Sequence, residues 1–366
     1  MVFLLLAFAN EAKAAAVNTT WTGAISTDWS TAGNWDNGVP NNDAGSVITI
    51  PVVGVSRYPV IATGVIANGG LLTIETGASI SASGTGSLTL WGNTITVNSN
   101  GNTSAVISCP VTLSANTTIT VADNAAAAND LIISGIVSGA FSLTKSGLGT
   151  LNLSGANTFS GTVTISGGIL KLGANSTVNT SSPTGTTGVI TVNTGAALDL
   201  AGFSYTTAHT QALTINGTGI SSGGALTNSS ASASTFIGLI SLGSASSIVA
   251  SSGNMVLSNA GTITGATFGL TLDGTNTASS LASIIGTTTG TLTKQGTGTW
   301  TLSGLNTYTG ATTVNAGTLK AGVATTGANG AFGNASAVTL ANTSGVVMDI
   351  TGFNNTIGSL TGGGAT

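Results

Sequence analysis

A stretch of 31 residues is written twice in this chain, and that repeat constrains the fold more than any other feature. Residues 143–173 read LTKSGLGTLNLSGANTFSGTVTISGGILKLG and residues 292–322 read LTKQGTGTWTLSGLNTYTGATTVNAGTLKAG. The offset is 149 residues without a gap, and 17 of the 31 positions are identical, both lysines among them. A second correspondence follows, LDLAGF at 198–203 against MDITGF at 348–353, now at an offset of 150. Self-similarity at a fixed period marks repeat architectures, in which each unit buries its apolar face only against its neighbours.

Each unit contains three short alternating segments, in the first copy Thr150 to Leu153, Thr162 to Ile165 and Ile169 to Leu172, separated by glycine-rich turns. Alternation puts Leu151, Leu153, Val163, Ile165, Leu170 and Leu172 on a core face and Asn152, Thr162, Thr164 and Lys171 on a wet one. In the second copy Trp300, Leu302, Val314 and Leu319 point inward, while Thr312 and Ala321 replace larger residues and imply a slimmer coil. Three strands in about 25 residues suit one coil of a parallel β-helix, and about a dozen coils would make a rod of about 60 Å. The fold expected is therefore all-β, a parallel β-helix (β-solenoid) with about three short strands per coil. A β-sandwich is the competing architecture, and the three-to-five-residue segments and scarce hairpin loops count against it.

Composition supports a polar, barely ionic surface. Charged residues are 4% of the chain and glycine fills 54 positions, yet Leu, Ile and Val recur in alternating runs that argue against disorder. The net charge of −4 comes from ten acids and six bases, so there is no basic stripe for nucleic acid and no polybasic membrane anchor. The apolar run Val2 to Ala9 is too short to cross a bilayer. Followed by small residues, it reads as a secretory signal peptide over 1–16, cleaved at Ala12-Lys13-Ala14 or Ala14-Ala15-Ala16, and implies a secreted or cell-surface protein. Residues 17–60 hold three of the five tryptophans, Trp21, Trp29 and Trp35, with Pro40, Pro51 and Pro59, and read as an N-terminal cap over the open edge of the first coil. The helix is expected over 61–366, with super-repeats 143–291 and 292–366, the second incomplete.

Catalysis on such a scaffold needs paired carboxylates or a base beside a cation. Beyond the cap the acids are Glu75, Asp123, Asp130, Asp199, Asp273 and Asp349, separated by tens of residues except Asp123 and Asp130, which read as a solvated loop. Asp199 and Asp349 recur at equivalent outer positions. His209 is the only histidine, which removes a histidine-based metal cluster. The lysines Lys145, Lys171, Lys294 and Lys320 occupy equivalent places and are expected to point outward, blunting aggregation. Cys109, alone, rules out an internal disulfide and reads as a small buried hydrophobe. Neither catalytic, cofactor nor metal residues emerge. Two binding surfaces are conceivable: outward Thr-x-Thr pairs (Thr94/Thr96, Thr118/Thr120, Thr162/Thr164, Thr262/Thr264) and the cap tryptophans Trp21, Trp29 and Trp35 stacking on sugar rings.

The unit resembles the autotransporter-associated β-strand repeat of passenger regions in large exported bacterial proteins. The resemblance rests on Gly149, Leu153, Ser154, Gly155, Asn157, Thr158, Phe159, Gly161, Gly168 and Leu170, and on Gly298, Leu302, Ser303, Gly304, Asn306, Thr307, Tyr308, Gly310, Gly317 and Leu319. It implies a right-handed parallel β-helix on the cell surface, used as an adhesin, passenger stalk or fibre subunit, without catalytic residues. Expected partners are host or environmental glycans, surface proteins, or further copies of the chain. A carbohydrate-binding surface protein and a pectate-lyase-like polysaccharide-degrading enzyme remain as alternatives. The segment WTGAISTDWSTAGNWDNGVP resembles the start of large secreted proteins from Bacteroidota-like bacteria. The ending SLTGGGAT, early in a second super-repeat, suggests a fragment or an open-ended protomer.

Overall fold

The computed structural model describes residues 15–176, 180–205 and 211–362. Over these residues the chain winds as a parallel β-solenoid of about 13 turns. Helix is limited among them to two short 3-10 turns, Ala32–Asn34 and Ile220–Ser222. The β-branched and small polar residues that fill the chain favour this, since both lose more in a helix than on a pleated, half-buried surface. The expected signal segment lies outside the described residues except for Ala15 and Ala16.

Three columns of strands run along the axis. Face A carries Thr19–Thr20, Val47–Ile50, Leu71–Glu75, Thr94–Asn98, Thr117–Val121, Leu143–Ser146, Val163–Ile165, Ile190–Val192 and Leu213–Gly217, each paired in parallel with the next. Face B carries Val60–Ile61, Ser79–Ala82, Ala105–Ile107, Leu131–Ile133, Thr150–Leu153, Gly168–Leu172, Ala196–Asp199 and Leu226–Thr227. Face C begins with Ile66–Gly69, Ser87–Leu90, Val111–Leu113 and Val137–Ser138. The long strand Ile240–Ala250 turns the A–B corner, pairing with Leu213–Gly217 on one face and Leu226–Thr227 on the other. The stack thus starts inside the segment read as a separate cap, because Thr19 already faces Ile48 and Val47 faces Leu71.

The repeated unit is not one three-strand coil. Leu143 faces Val163 and Leu151 faces Leu170, so the unit holds four strands on two faces and spans two turns. The third face of these turns has no strand, and a side chain takes its place. Asn157 is fully buried; its Oδ1 accepts the Val137 N–H at 2.7 Å and its Nδ2 donates to the Pro183 carbonyl at 2.7 Å. Asn306 repeats the arrangement with the Ile285 N–H at 2.7 Å and the Ala331 carbonyl at 2.6 Å. One carboxamide therefore joins three successive turns at a corner where backbone pairing shrinks to a single bridge, Asn157 with Ser182 or Asn306 with Gly330. At the eight repeat glycines a Cβ would come within 2.2–2.4 Å of backbone in the neighbouring turn, so the coils close only with hydrogen there.

The second copy sits one face further round. Leu292–Lys294 pairs with Leu270–Gly274, itself paired with the face B half of Ile240–Ala250, and Thr299–Leu302 joins face C through Ser279–Leu281. Six steps along face B separate Thr150–Leu153 from Leu292–Lys294, whereas Leu143–Ser146 lies on face A. The super-repeat is six turns and one face. Core positions Leu151, Leu153, Val163, Ile165, Leu170 and Leu172 are solvent-free, as are Leu302, Val314 and Leu319. At Thr312 the smaller, polar side chain stays in the core, where its hydroxyl meets that of Tyr308 at 2.7 Å.

Candidate functional site

Lys145 and Lys294, expected at the surface, are fully buried. In Leu143–Ser146 the inward residues are Leu143 and Lys145, so strand parity carries the lysine into the core. Its ammonium donates to the carbonyls of Ser146 (2.8 Å), Gly147 (3.0 Å) and Gly167 (3.0 Å). Lys294 donates to Gln295 (2.5 Å), Gly296 (2.7 Å) and Ala316 (3.1 Å). Each ammonium uses its three donors on a corner that joins two turns. Gly168 and Gly317 close the cradles at φ +64° and +62°, and a Cβ on Gly168 would lie 2.7 Å from Lys145 Nζ. Burial pushes both lysines down to about 8, with Asp130 and Asp273 respectively opposing it.

Asp130 is not part of a solvated loop. It is buried, and its carboxylate accepts the N–H groups of Asn124 (2.8 Å) and Thr150 (2.6 Å). Burial raises its pKa and those hydrogen bonds oppose the rise. Asp123 is exposed, so the structure separates the two. Lys145 and Asp130 do converge, the arrangement a lyase would need, but both are sealed from solvent and held by backbone, which suits an internal clamp. Asp199 is also buried rather than outward, accepting from Ser229 N–H and hydroxyl at 3.0 and 2.5 Å. Asp349 pairs with Lys320 at 3.0 Å and is held down to about 2, chiefly by hydrogen bonds from Thr351. Cys109 is buried, and burial pushes its thiol up to about 12. His209 lies outside the described residues.

The cap tryptophans offer no stacking platform. Trp21, Trp29 and Trp35 are 0%, 1% and 4% exposed and pack edge to face, with centroids 4.9 and 4.8 Å apart. Trp21 Nε1 donates to the Arg57 carbonyl at 2.7 Å and Trp35 Nε1 to the Trp29 carbonyl at 2.8 Å. Their apolar area goes into closing the first turns. The exposed indole is Trp91, at 43%, its N–H on Asn68 Oδ1 at 3.0 Å.

The threonines form ladders longer than the pairs suggested. Thr94, Thr118, Thr144, Thr164, Thr191 and Thr214 occupy successive rungs of face A. On face B the ladder resumes as Thr271, Thr293, Thr313, Thr339 and Thr361, one face round as the super-repeat demands. Thr96 and Thr120 share a second rank, while Thr162 precedes its strand.

Beside the Lys294 cradle the B–C corner opens into a cavity of about 310 Å³ lined by Thr297, Asn315, Ala316, Gly317 and residues 343–346. Its wall is the peptide whose carbonyl holds the Lys294 ammonium. Among the described residues no group of three or more His, Cys, Asp or Glu is placed to hold a metal. Sequence reasoning missed this corner, although the change of offset from 149 to 150 marks it.

Comparison with a family model of known proteins comes down on the two repeated segments. Residues 143–172 and 292–321 match the passenger-associated-transport-repeat. The adhesin BmaC autotransporter of Brucella suis biovar 1 (strain 1330) is 42% identical over 115 residues, 31% of this chain. That match spans 3% of the adhesin's own length. No solved structure matches. The chain thus carries two copies of the passenger-associated-transport-repeat on a parallel coil and is similar, over 115 residues, to part of an autotransporter adhesin.

Proposed function

We propose that the chain is an extracellular adhesive scaffold, a surface-displayed passenger whose coils hold binding corners and loops away from the cell. The observation that carries this reading is the 42% identity, over 115 residues, to a protein named as an adhesin autotransporter. The fold supports it. A parallel stack extends by nearest-neighbour contacts alone, and its ladders of hydroxyls keep the surface hydrated with few charges. The ionisable groups support a scaffold without catalysis, since the buried Lys145 and Asp130 are both spent on backbone groups inside the stack.

Purified chain coupled to microspheres tests the reading. Saturable attachment to host-cell or matrix-coated surfaces, competed by soluble chain, is the expected result. Attachment no better than that of spheres coated with the heat-unfolded chain would overturn it. Release of reducing or unsaturated ends from acidic polysaccharides by the folded chain would replace the scaffold with an enzyme.

A further inference from the structure

The corner beside Lys294 is two residues longer than its counterpart in the first unit. There Val192 pairs with Ile165 and Ala197 with Ile169, leaving residues 193–196 to turn the corner. In the second unit Leu340 pairs with Val314 and Val347 with Thr318, leaving residues 341–346. The flanking strands are equivalent, so the extra chain bulges outward, and the cavity of about 310 Å³ lies beneath it.

We propose that this cavity binds a single hydroxyl-rich sugar unit of a surface glycan, an inference that rests on the adhesive reading above. The carboxamide of Asn315 and the hydroxyls of Thr297, Thr343 and Ser344 line it without a hydrogen-bond partner among the described residues. The first unit differs: Ser166 stands at the Asn315 position and its hydroxyl is spent on the Lys145 carbonyl at 3.0 Å. The backbone adds a donor. The Ala316 carbonyl points inward at the Lys294 ammonium, and in a trans peptide the N–H of Gly317 points the opposite way, toward the cavity. The buried cation polarises that peptide and strengthens its donor. Ala316 and Val346 supply the apolar patch that the C–H face of a pyranose needs. No charged side chain lines the cavity, which favours a neutral polyol over an ionic ligand. Its size is at the lower end of small-molecule sites, about 300–1,000 Å³, and holds one sugar rather than a protein surface.

The test is a glycan array with the full chain, followed by calorimetry on the best neutral hit. Two site variants are compared with the parent, Asn315→Ala and a graft replacing ANTSGV (341–346) by NTGA, the 193–196 sequence, with Trp91→Ala as a control outside the cavity. Because the short corner already closes equivalent strands, the graft is expected to melt within a few degrees of the parent. Binding weakened about tenfold or more in both variants supports the site. An unchanged affinity in the graft, an array without a neutral hit, or loss confined to Trp91→Ala would overturn it. Microsphere attachment separates the two readings: attachment with an empty array sinks the cavity and leaves the scaffold, and glycan binding without attachment does the reverse.

Discussion

The hydroxyls of Tyr308 and Thr312 lie 2.7 Å apart in the core, at positions filled in the first unit by Phe159 and Val163. The two changes belong together, since the Tyr308 hydroxyl without Thr312 would be a buried polar group short of a partner. Thr312 also reaches Ser336 at 3.1 Å, and Ser336 is secured independently by the Gly310 carbonyl at 2.6 Å. Thr312→Val is therefore expected to cost about 1–3 kcal/mol by stranding the Tyr308 hydroxyl. Tyr308→Phe plus Thr312→Val, which restores the first-unit pair, should recover most of that loss. A urea-denaturation double-mutant cycle measures the coupling, and strict additivity would refute it.

The lysine cradles give stability a pH dependence with a definite sign. Burial lowers each folded-state pKa from 10.5 to about 8, so between these values the unfolded chain binds more protons. Unfolding free energy should then rise with pH across that window, by at most about 3 kcal/mol per lysine. Cys109, Tyr205 and Tyr308, whose pKa values burial raises, oppose the trend, the thiol from about pH 9 and the tyrosines near and above pH 10. Urea midpoints taken between about pH 7.5 and 9.5 should climb in the parent but not in Lys145→Met/Lys294→Met, where the raised Cys109 thiol leaves a slight fall toward the top of the window. A falling midpoint in the parent would contradict the assignment.

Gly168 and Gly327 have nearly the same backbone, φ +64° and +63°, but different surroundings. A Cβ on Gly168 would meet the Gly149 carbonyl oxygen at 2.3 Å and Lys145 Nζ at 2.7 Å, whereas one on Gly327 would meet nothing within 4 Å. Gly327→Ala should cost only the left-handed conformational term, about 1–2 kcal/mol. Gly168→Ala should cost clearly more, since backbone must also shift. Thermal unfolding of the two variants side by side reads the difference, and equal losses would show that the cradle yields freely.

Much of this was legible in residue order. Alternation alone places Leu151, Leu153 and Val163 in the core, and the glycines of the unit mark its corners. Lys145 was misread because two rules conflicted: parity with Leu143 points it inward, while charge argues for solvent. Parity prevails because a corner of three converging carbonyls replaces the water the ammonium loses. The tryptophans of residues 17–60 were readable as packing or as a sugar platform, and only the edge-to-face trio decides for packing. The register was hidden for a different reason. Turns vary from 19 residues, Thr150 to Ile169, to 29, Thr19 to Ile48, so a period of 149 does not disclose that it comprises six turns and one face.

Asn306 shows how far one carboxamide can substitute for a strand. It accepts from the Ile285 N–H and donates to the Ala331 carbonyl, so Asn306→Asp keeps the shape but loses the donor and sets a carboxylate against a carbonyl oxygen. The introduced acid should have a raised folded-state pKa, because only its protonated form can donate to Ala331. A group of this kind contributes stability below its unfolded pKa and loses it as pH rises through the folded value. Asn306→Asp should therefore be destabilised by about 3 kcal/mol at neutral pH and recover toward the parent in acid. Asn306→Ala, which abandons both bonds, should be weakened to the same degree at every pH. Denaturation midpoints at about pH 4 and 7 decide the matter. If Asn306→Asp shows no acid recovery beyond that of Asn306→Ala, the donor arm does not join the turns.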